Sequence, residues 1–255
     1  MQDEQPLKPA NILNIVATNQ GKRPLTAKLP VAEALSPQQV EDLIEEGHAV
    51  VDARSSAEFG AGHIPRAYNI QLSSSEFEQR VGWVTPDESS IILVADSNED
   101  AQSCIYNTAF IALDSNVAGF LNDGIDNWMG SGKPVETISQ IDVNSLQDRL
   151  STDGLQVLDV RSDEEWDEGH MDTARFMTYT SLVPQLDNPA KIDELPWTLD
   201  QYIAVTCATG KRSSTAISIL RRQGYKHLYN VTGGMEAWKN AGFKLIDAAG
   251  NICKV

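Results

Sequence analysis

The chain has 255 residues, 41% hydrophobic and 22% charged, with 20 lysines and arginines against 36 aspartates and glutamates for a formal net charge of −16. That length gives one large domain or two of ordinary size, each able to bury a core. No run approaches the ~18 apolar residues of a membrane span, and the acidic excess, with no basic cluster interleaved with aromatics, opposes binding to a phosphate backbone, so neither membrane nor nucleic acid is an expected partner.

Residues 1–30 are polar and lack the basic start and apolar core of a signal peptide, and are read as an extension or linker on a cytoplasmic protein. Residues 31–136 and 137–250 are expected as two domains, with a tail at 251–255. The first domain reads as a helix (Pro37 to Glu46), a buried strand (Ala49 to Ala53), a loop carrying Gly62-His63 and a short second strand. A third strand (Ile91 to Ala95), an amphipathic helix (Asp100 to Leu113), a fourth strand and a helix bearing Trp128 follow. Glycine and proline near Lys133-Pro134 break the pattern. It then restarts with a helix (Val143 to Leu150), a strand (Gln156 to Val160), the Gly169-His170 loop, a short second strand, a third strand at Tyr202 to Thr206, a helix from Ser213 to Gln223, a fourth strand and a final helix with Trp238.

The two runs are copies. Val51-Asp52-Ala53-Arg54-Ser55 recurs as Leu158-Asp159-Val160-Arg161-Ser162 at an offset of 107, and Gly124, Trp128 and Gly132 meet Gly234, Trp238 and Gly242 at an offset of 110. Valine- and isoleucine-rich strands alternating with helices predict a doubly wound α/β domain with a parallel sheet, whose ligands sit beyond the carboxyl ends of the strands.

Cys207 stands at such an end. It is followed by Ala208-Thr209-Gly210-Lys211-Arg212 and then the helix, so the helix dipole and two cations favour a thiolate and would cradle a small anion. On these residues alone, a half-buried strand-end cysteine beside a capped helix is the other reading. Residues 1–137 carry 8 basic against 20 acidic side chains (net −12) and residues 138–255 carry 12 against 16 (net −4), so the less acidic half holds Cys207. Three cysteines, Cys104, Cys207 and Cys253, without a Cys-x-x-Cys pair fit a reducing compartment. The histidines His48, His63, His170 and His227 have no metal-ligand spacing, and neither metal nor cofactor is expected.

Asp-x-Arg, Glu-x-x-x-Gly-His, Cys-x-x-Gly-x-Arg and Gly-Gly-x-x-x-Trp, in this order, resemble the rhodanese family of sulfurtransferases, over residues 36 to 246 as a tandem pair. The resemblance implies two rhodanese-like doubly wound domains and a loop from Cys207 to Arg212 that wraps the reactive sulfur in the N–H groups of Ala208, Thr209, Gly210, Lys211 and Arg212. Cys207 would take the outer sulfur of a donor as a persulfide and pass it to a thiol or to cyanide. Arg212 would bind an oxyanion or pair with a loop acid, and Lys211 would act as a mobile charge or face solvent. Arg161 with Glu165, and Arg54 with Glu58, are expected to pair as scaffold; His63 and His170 as loop packing; Trp128, Trp238 and Cys104 as core; Cys253 as a tail thiol.

In the first copy Asp96 aligns with Cys207, followed by Ser97-Asn98-Glu99-Asp100, so that copy is read as inert. The loop Cys-Ala-Thr-Gly-Lys-Arg differs from the Cys-Gly-Ser-Gly-Val-Thr of mercaptopyruvate sulfurtransferases, which favours thiosulfate or a small persulfide as donor. Competing readings are a phosphatase or arsenate reductase of similar fold, whose loop has five residues between cysteine and arginine where this one has four, and a non-catalytic scaffold with Cys207 as redox sensor. Asn11 to Gly21 and Pro24-Leu25-Thr26 resemble the connector joining a metallo-β-lactamase-fold persulfide dioxygenase to tandem rhodanese domains. Such a domain or protein is an expected partner, although its iron-ligand motifs are missing from this chain.

Overall fold

Each half is built around strands too apolar to sit anywhere but between two layers of helix. In a computed structural model, residues 12–22, 30–86, 89–152, 154–184 and 189–253 are described. The first half contains α1 (Ile12–Asn19), β1 (Glu33–Leu35), α2 (Pro37–Glu45), β2 (Ala49–Asp52), α3 (Ser56–Ala61), β3 (Tyr68–Asn69), α4 (Phe77–Val84), β4 (Ile91–Val94), α5 (Asn98–Ala109), β5 (Val117–Leu121) and α6 (Gly124–Gly130). The second contains β6 (Ser139–Ile141), α7 (Val143–Thr152), β7 (Gln156–Asp159), α8 (Asp163–Glu168), β8 (Ala174–Phe176), β9 (Tyr202–Thr206), α9 (Lys211–Arg222), β10 (His227–Val231) and α10 (Gly234–Asn240).

The strands form two five-stranded, wholly parallel sheets of the same topology, β1-β5-β4-β2-β3 and β6-β10-β9-β7-β8. All four residues of β4 are buried, as a central parallel strand requires. In the second sheet Val157 and Ala204 pack with Leu146 of α7, Trp238 of α10 and Met171 into one core. Chain contacts divide the protein into one unit of Met1–Ser55, Gly62–Glu136 and Pro184–Pro189, and another of Ser56–Ala61, Thr137–Val183 and Ala190–Val255.

Several elements differ from the sequence reading. The Gly-His loops begin as the short helices α3 and α8, and β1 and β6 add a sheet edge that three residues are too few to announce. Helix α5 starts at Asn98 because the Ser97 side chain accepts the Asp100 N–H as its N-cap. Pro24-Leu25-Thr26 lie outside the described residues, while Ile12 to Asn19 are helical. Among the described residues no helix is long and apolar enough to cross a membrane, and no group of three or more His, Cys, Asp or Glu side chains is placed to hold a metal.

The sheets also correct the alignment of the two copies. Asp52 pairs with Val94 in one and Asp159 with Thr206 in the other, so the residue after the central strand is Ala95 in the first half and Cys207 in the second. Asp96 lies one position further on, opposite Ala208. From strand end to helix start the first half spends three residues (Ala95, Asp96, Ser97) and the second four (Cys207 to Gly210).

Candidate active site

Strand β9 delivers Cys207 to the carboxyl edge of its sheet, and α9 starts four residues later, at Lys211. Lys211 and Arg212 are thus the first residues of the helix and not part of the turn. Gly210, in the left-handed region at φ 96°, is the N-cap. That conformation suits glycine and turns its N–H onto the sulfur, to which it donates at 3.1 Å. The sulfur sits over the positive end of α9. Cys207 is only 1% exposed, Thr209 is exposed, and Ala208, Lys211 and Arg212 are half-buried.

The loop carbonyls face the other way. Cys207 C=O accepts from Met235 N–H at 2.7 Å and Ala208 C=O from Glu236 N–H at 3.0 Å, which satisfies orphan donors at the start of α10. The approach is close enough that a Cβ on Gly234 would overlap the Cys207 carbonyl and lie 2.6 Å from that of Ala208. Gly233 and Gly234 both hold positive φ, 74° and 56°. The glycine pair thus pins the loop carbonyls to α10, on the side away from the sulfur that takes the Gly210 N–H.

Arg212 is not an open anion clamp. Its two terminal nitrogens donate to the two carboxylate oxygens of Glu165 at 2.5 and 2.6 Å. Burial works against both charges, yet the hydrogen bond from Arg212 and that from Ser162 N–H hold the Glu165 carboxyl down to about 2, and the same pair raises Arg212. Burial likewise opposes charge on Arg212, whose other stabilising partners are Cys207 and Tyr179. The expected Arg161–Glu165 pair does not form. Arg161 instead forks onto Asp159 (3.0 and 2.8 Å) and donates to the Gly169 carbonyl at 2.8 Å. Arg54 repeats this on Asp52 and Gly62. Glu165 is committed elsewhere, as the third residue of a capping box begun by Ser162, a Ser-x-x-Glu signal readable in the sequence.

His170 stacks on Trp166 with centroids 3.5 Å apart and bridges to Ile246; His63 bridges to Glu136. Trp128 and Trp238 are buried, their indole N–H groups donating to the carbonyls of Pro134 and Lys244. Cys104 is fully buried, and burial, then Asp100 and Asp52, push its thiol up to about 12. Cys253 is half-exposed beside Gly169. Beside the Cys207 loop opens a cavity of about 220 Å³ whose wall includes Ala208, Met235, Glu168, Glu236 and Lys239.

A family model described as a rhodanese-like domain matches residues 36–131 and again residues 142–241. Similar proteins include the Arabidopsis thaliana protein HIGH ARSENIC CONTENT 1, mitochondrial, 34% identical over 115 residues, 44% of this chain and 68% of that one. The thiosulfate sulfurtransferase GlpE of Vibrio cholerae is 30% identical over 101 residues, 40% of this chain and 88% of that one. A sulfurtransferase of Allochromatium vinosum is 29% identical over 114 residues, 44% of this chain and 99% of that one.

Proposed function

The chain belongs to the rhodanese-like domain family, as two such domains in tandem with sulfurtransferases among their relatives, and from this we propose that it moves sulfane sulfur from thiosulfate or a small persulfide to a thiol or cyanide through Cys207. Residues 137–250 form the catalytic domain in this reading and residues 31–136 an inactive one. The Cys207 thiolate attacks the outer sulfur of thiosulfate, the S–S bond of the donor breaks, and sulfite leaves. An acceptor then attacks the outer sulfur of the persulfide and restores the thiolate. With cyanide the product is thiocyanate.

The observation that carries the proposal is the sulfur at the strand end, taking the Gly210 N–H while the neighbouring carbonyls are tied to α10. A preorganised N–H cradle stabilises charge on a thiolate or on a persulfide's outer sulfur without reorganisation. The 220 Å³ cavity beside Ala208 is the approach for an acceptor. A persulfide dioxygenase, as a domain or a separate protein, is a fitting partner because it would consume the persulfide made here.

Intact-protein mass spectrometry after incubation with thiosulfate tests the reading. A gain of about 32 Da, one sulfur as the covalent mechanism requires, is expected in the wild type. In Cys207→Ser the adduct and more than nine-tenths of thiocyanate production, roughly, are expected to be lost. No adduct, or hydrolysis of an aryl phosphate faster than sulfur transfer, overturns it. Arsenate reduction by a cysteine loop of this kind is the second reading, and one relative is named for arsenic content. Arsenate-dependent thiol oxidation by a chain that takes up no sulfur would select it.

A further inference from the structure

Behind the loop, polar side chains of the second unit are joined in a directed row. Gln140 on β6 donates its Nε2 to the carbonyls of Ser56 (3.2 Å), which belongs to the same unit, and Ile138 (3.4 Å). Carbonyls only accept, so the nitrogen is fixed on that side and Oε1 faces Asn230 on β10, taking its Nδ2–H at 3.0 Å. Asn230 Oδ1 then faces Ser213 on α9 and takes its hydroxyl proton at 2.6 Å. A hydroxyl has one proton. With it committed to Asn230, Ser213 turns its lone pairs toward Cys207 Sγ, 3.6 Å away, as acceptor. Asn230 and Ser213 are 1% and 0% exposed, which keeps bulk water from the end of the row that meets the sulfur.

The first half serves as an internal control. Strand pairing places Phe120 where Asn230 stands and Ala34 where Gln140 stands, and counting from the helix starts places Asp100 opposite Ser213. The half with alanine at the sulfur position has none of the three residues, although its sheet is the same. The row therefore follows the sulfur and not the fold.

We propose that Gln140, Asn230 and Ser213 are a positioning relay that presents an acceptor, not a donor, to the inner sulfur of Cys207 and thereby favours the sulfur-loaded protein over the free one. In the free thiolate the charge sits on Sγ, against the Ser213 lone pairs. In the persulfide it sits on the outer sulfur, and Sγ is a neutral, two-bonded atom. The exchange of thiolate and thiosulfate for persulfide and sulfite breaks one S–S bond, makes another, keeps the total charge and needs no redox partner.

The inference rests on the sulfurtransferase reading, and its test separates the two. Gln140 is exposed, so Gln140→Leu leaves the core intact. It frees the Asn230 amide to turn its nitrogen to Ser213, whose proton then swings onto Sγ. At fixed thiosulfate, the sulfite concentration that half-unloads the protein, read by intact mass, is expected to fall about fivefold, the worth of one hydrogen bond. The midpoint of the pH profile for Cys207 alkylation by iodoacetamide, read by peptide mass, is expected to move to about fivefold higher proton concentration. Both effects are expected to vanish when the same pair of proteins carries Ser213→Ala. Arg212 and Lys211 on α9, Glu165 on α8 and Tyr179, with Arg161, Glu168, Glu236 and Lys239 around the neighbouring cavity, are the same in every variant. An alkylation midpoint unchanged by Gln140→Leu, or shifted equally without Ser213, overturns the relay. A wild type that alkylates normally yet never takes up sulfur overturns the sulfurtransferase reading instead, and the alkylation data still decide the relay.

Discussion

Glu165 reaches Arg212 across 47 residues of sequence because each is held at a helix start: Glu165 in the capping box of α8 and Arg212 in the first turn of α9. The spacing rule that pairs residues four apart applies on a helix surface, but Arg161 precedes the N-cap Ser162 and so lies outside the helix, nearer to Asp159. The pairing was therefore not legible from spacing, whereas the cysteine at the strand end, the glycine after it and the two basic residues at the helix start were. The clamp should resist acid. A carboxyl held down to about 2, against an ordinary 4.5, contributes its stability in full above pH 4.5 and loses it as pH falls through about 2. Glu165→Gln is expected to leave Arg212 with uncompensated charge and lower the KM for thiosulfate by about threefold or more. Steady-state kinetics would read this, and an unchanged KM would show that Arg212 does not meet the donor.

At the scale of elements, the one-residue difference in loop length between the halves separates a cradle from a plain turn. Ala95, at the register position of Cys207, is followed by a helix capped by a serine side chain instead of a left-handed glycine. Ala95→Cys is accordingly expected to take up no sulfur from thiosulfate. The shorter loop lacks the left-handed glycine that turns an N–H onto Cys207, and Asp96, Glu99 and Asp100 repel the donor. Mass mapping of the adduct checks this, and a second labelled cysteine at position 95 would refute it. The central strands β2, β4, β7 and β9 were legible to within a residue because continuous runs such as Ile91-Ile92-Leu93-Val94 fit only a buried parallel strand, while the three-residue edges β1 and β6 were not. Helix α4 was passed over although Phe77, Val81 and Val84, all buried, carry its periodicity. The copy alignment slipped by one residue because strand pairing, absent from any sequence pattern, sets the register.

For the whole molecule, repetition and charge were both readable from the chain, and the charge has a measurable consequence. With a net charge of −16, thiosulfate must approach against the long-range field, the local cations notwithstanding. Raising inert salt from roughly 0.01 to 0.15 M, which shortens the screening length from about 30 to about 8 Å, is expected to raise kcat/KM for thiosulfate about twofold or more. A fall would show that the cradle's own field governs capture. The tandem arrangement bears on protein engineering as well. Gly124, whose Cβ would lie 2.8 Å from the Ala95 carbonyl, matches Gly234 against the Cys207 carbonyl, while the position before it is Asp123 in one half and Gly233 in the other. One gene product thus carries two solutions to a single architecture, and subtracting one from the other sorts its residues. Positions on which the halves agree state what folding demands, and those on which they differ are where a designer would begin to move the chemistry from one half to the other.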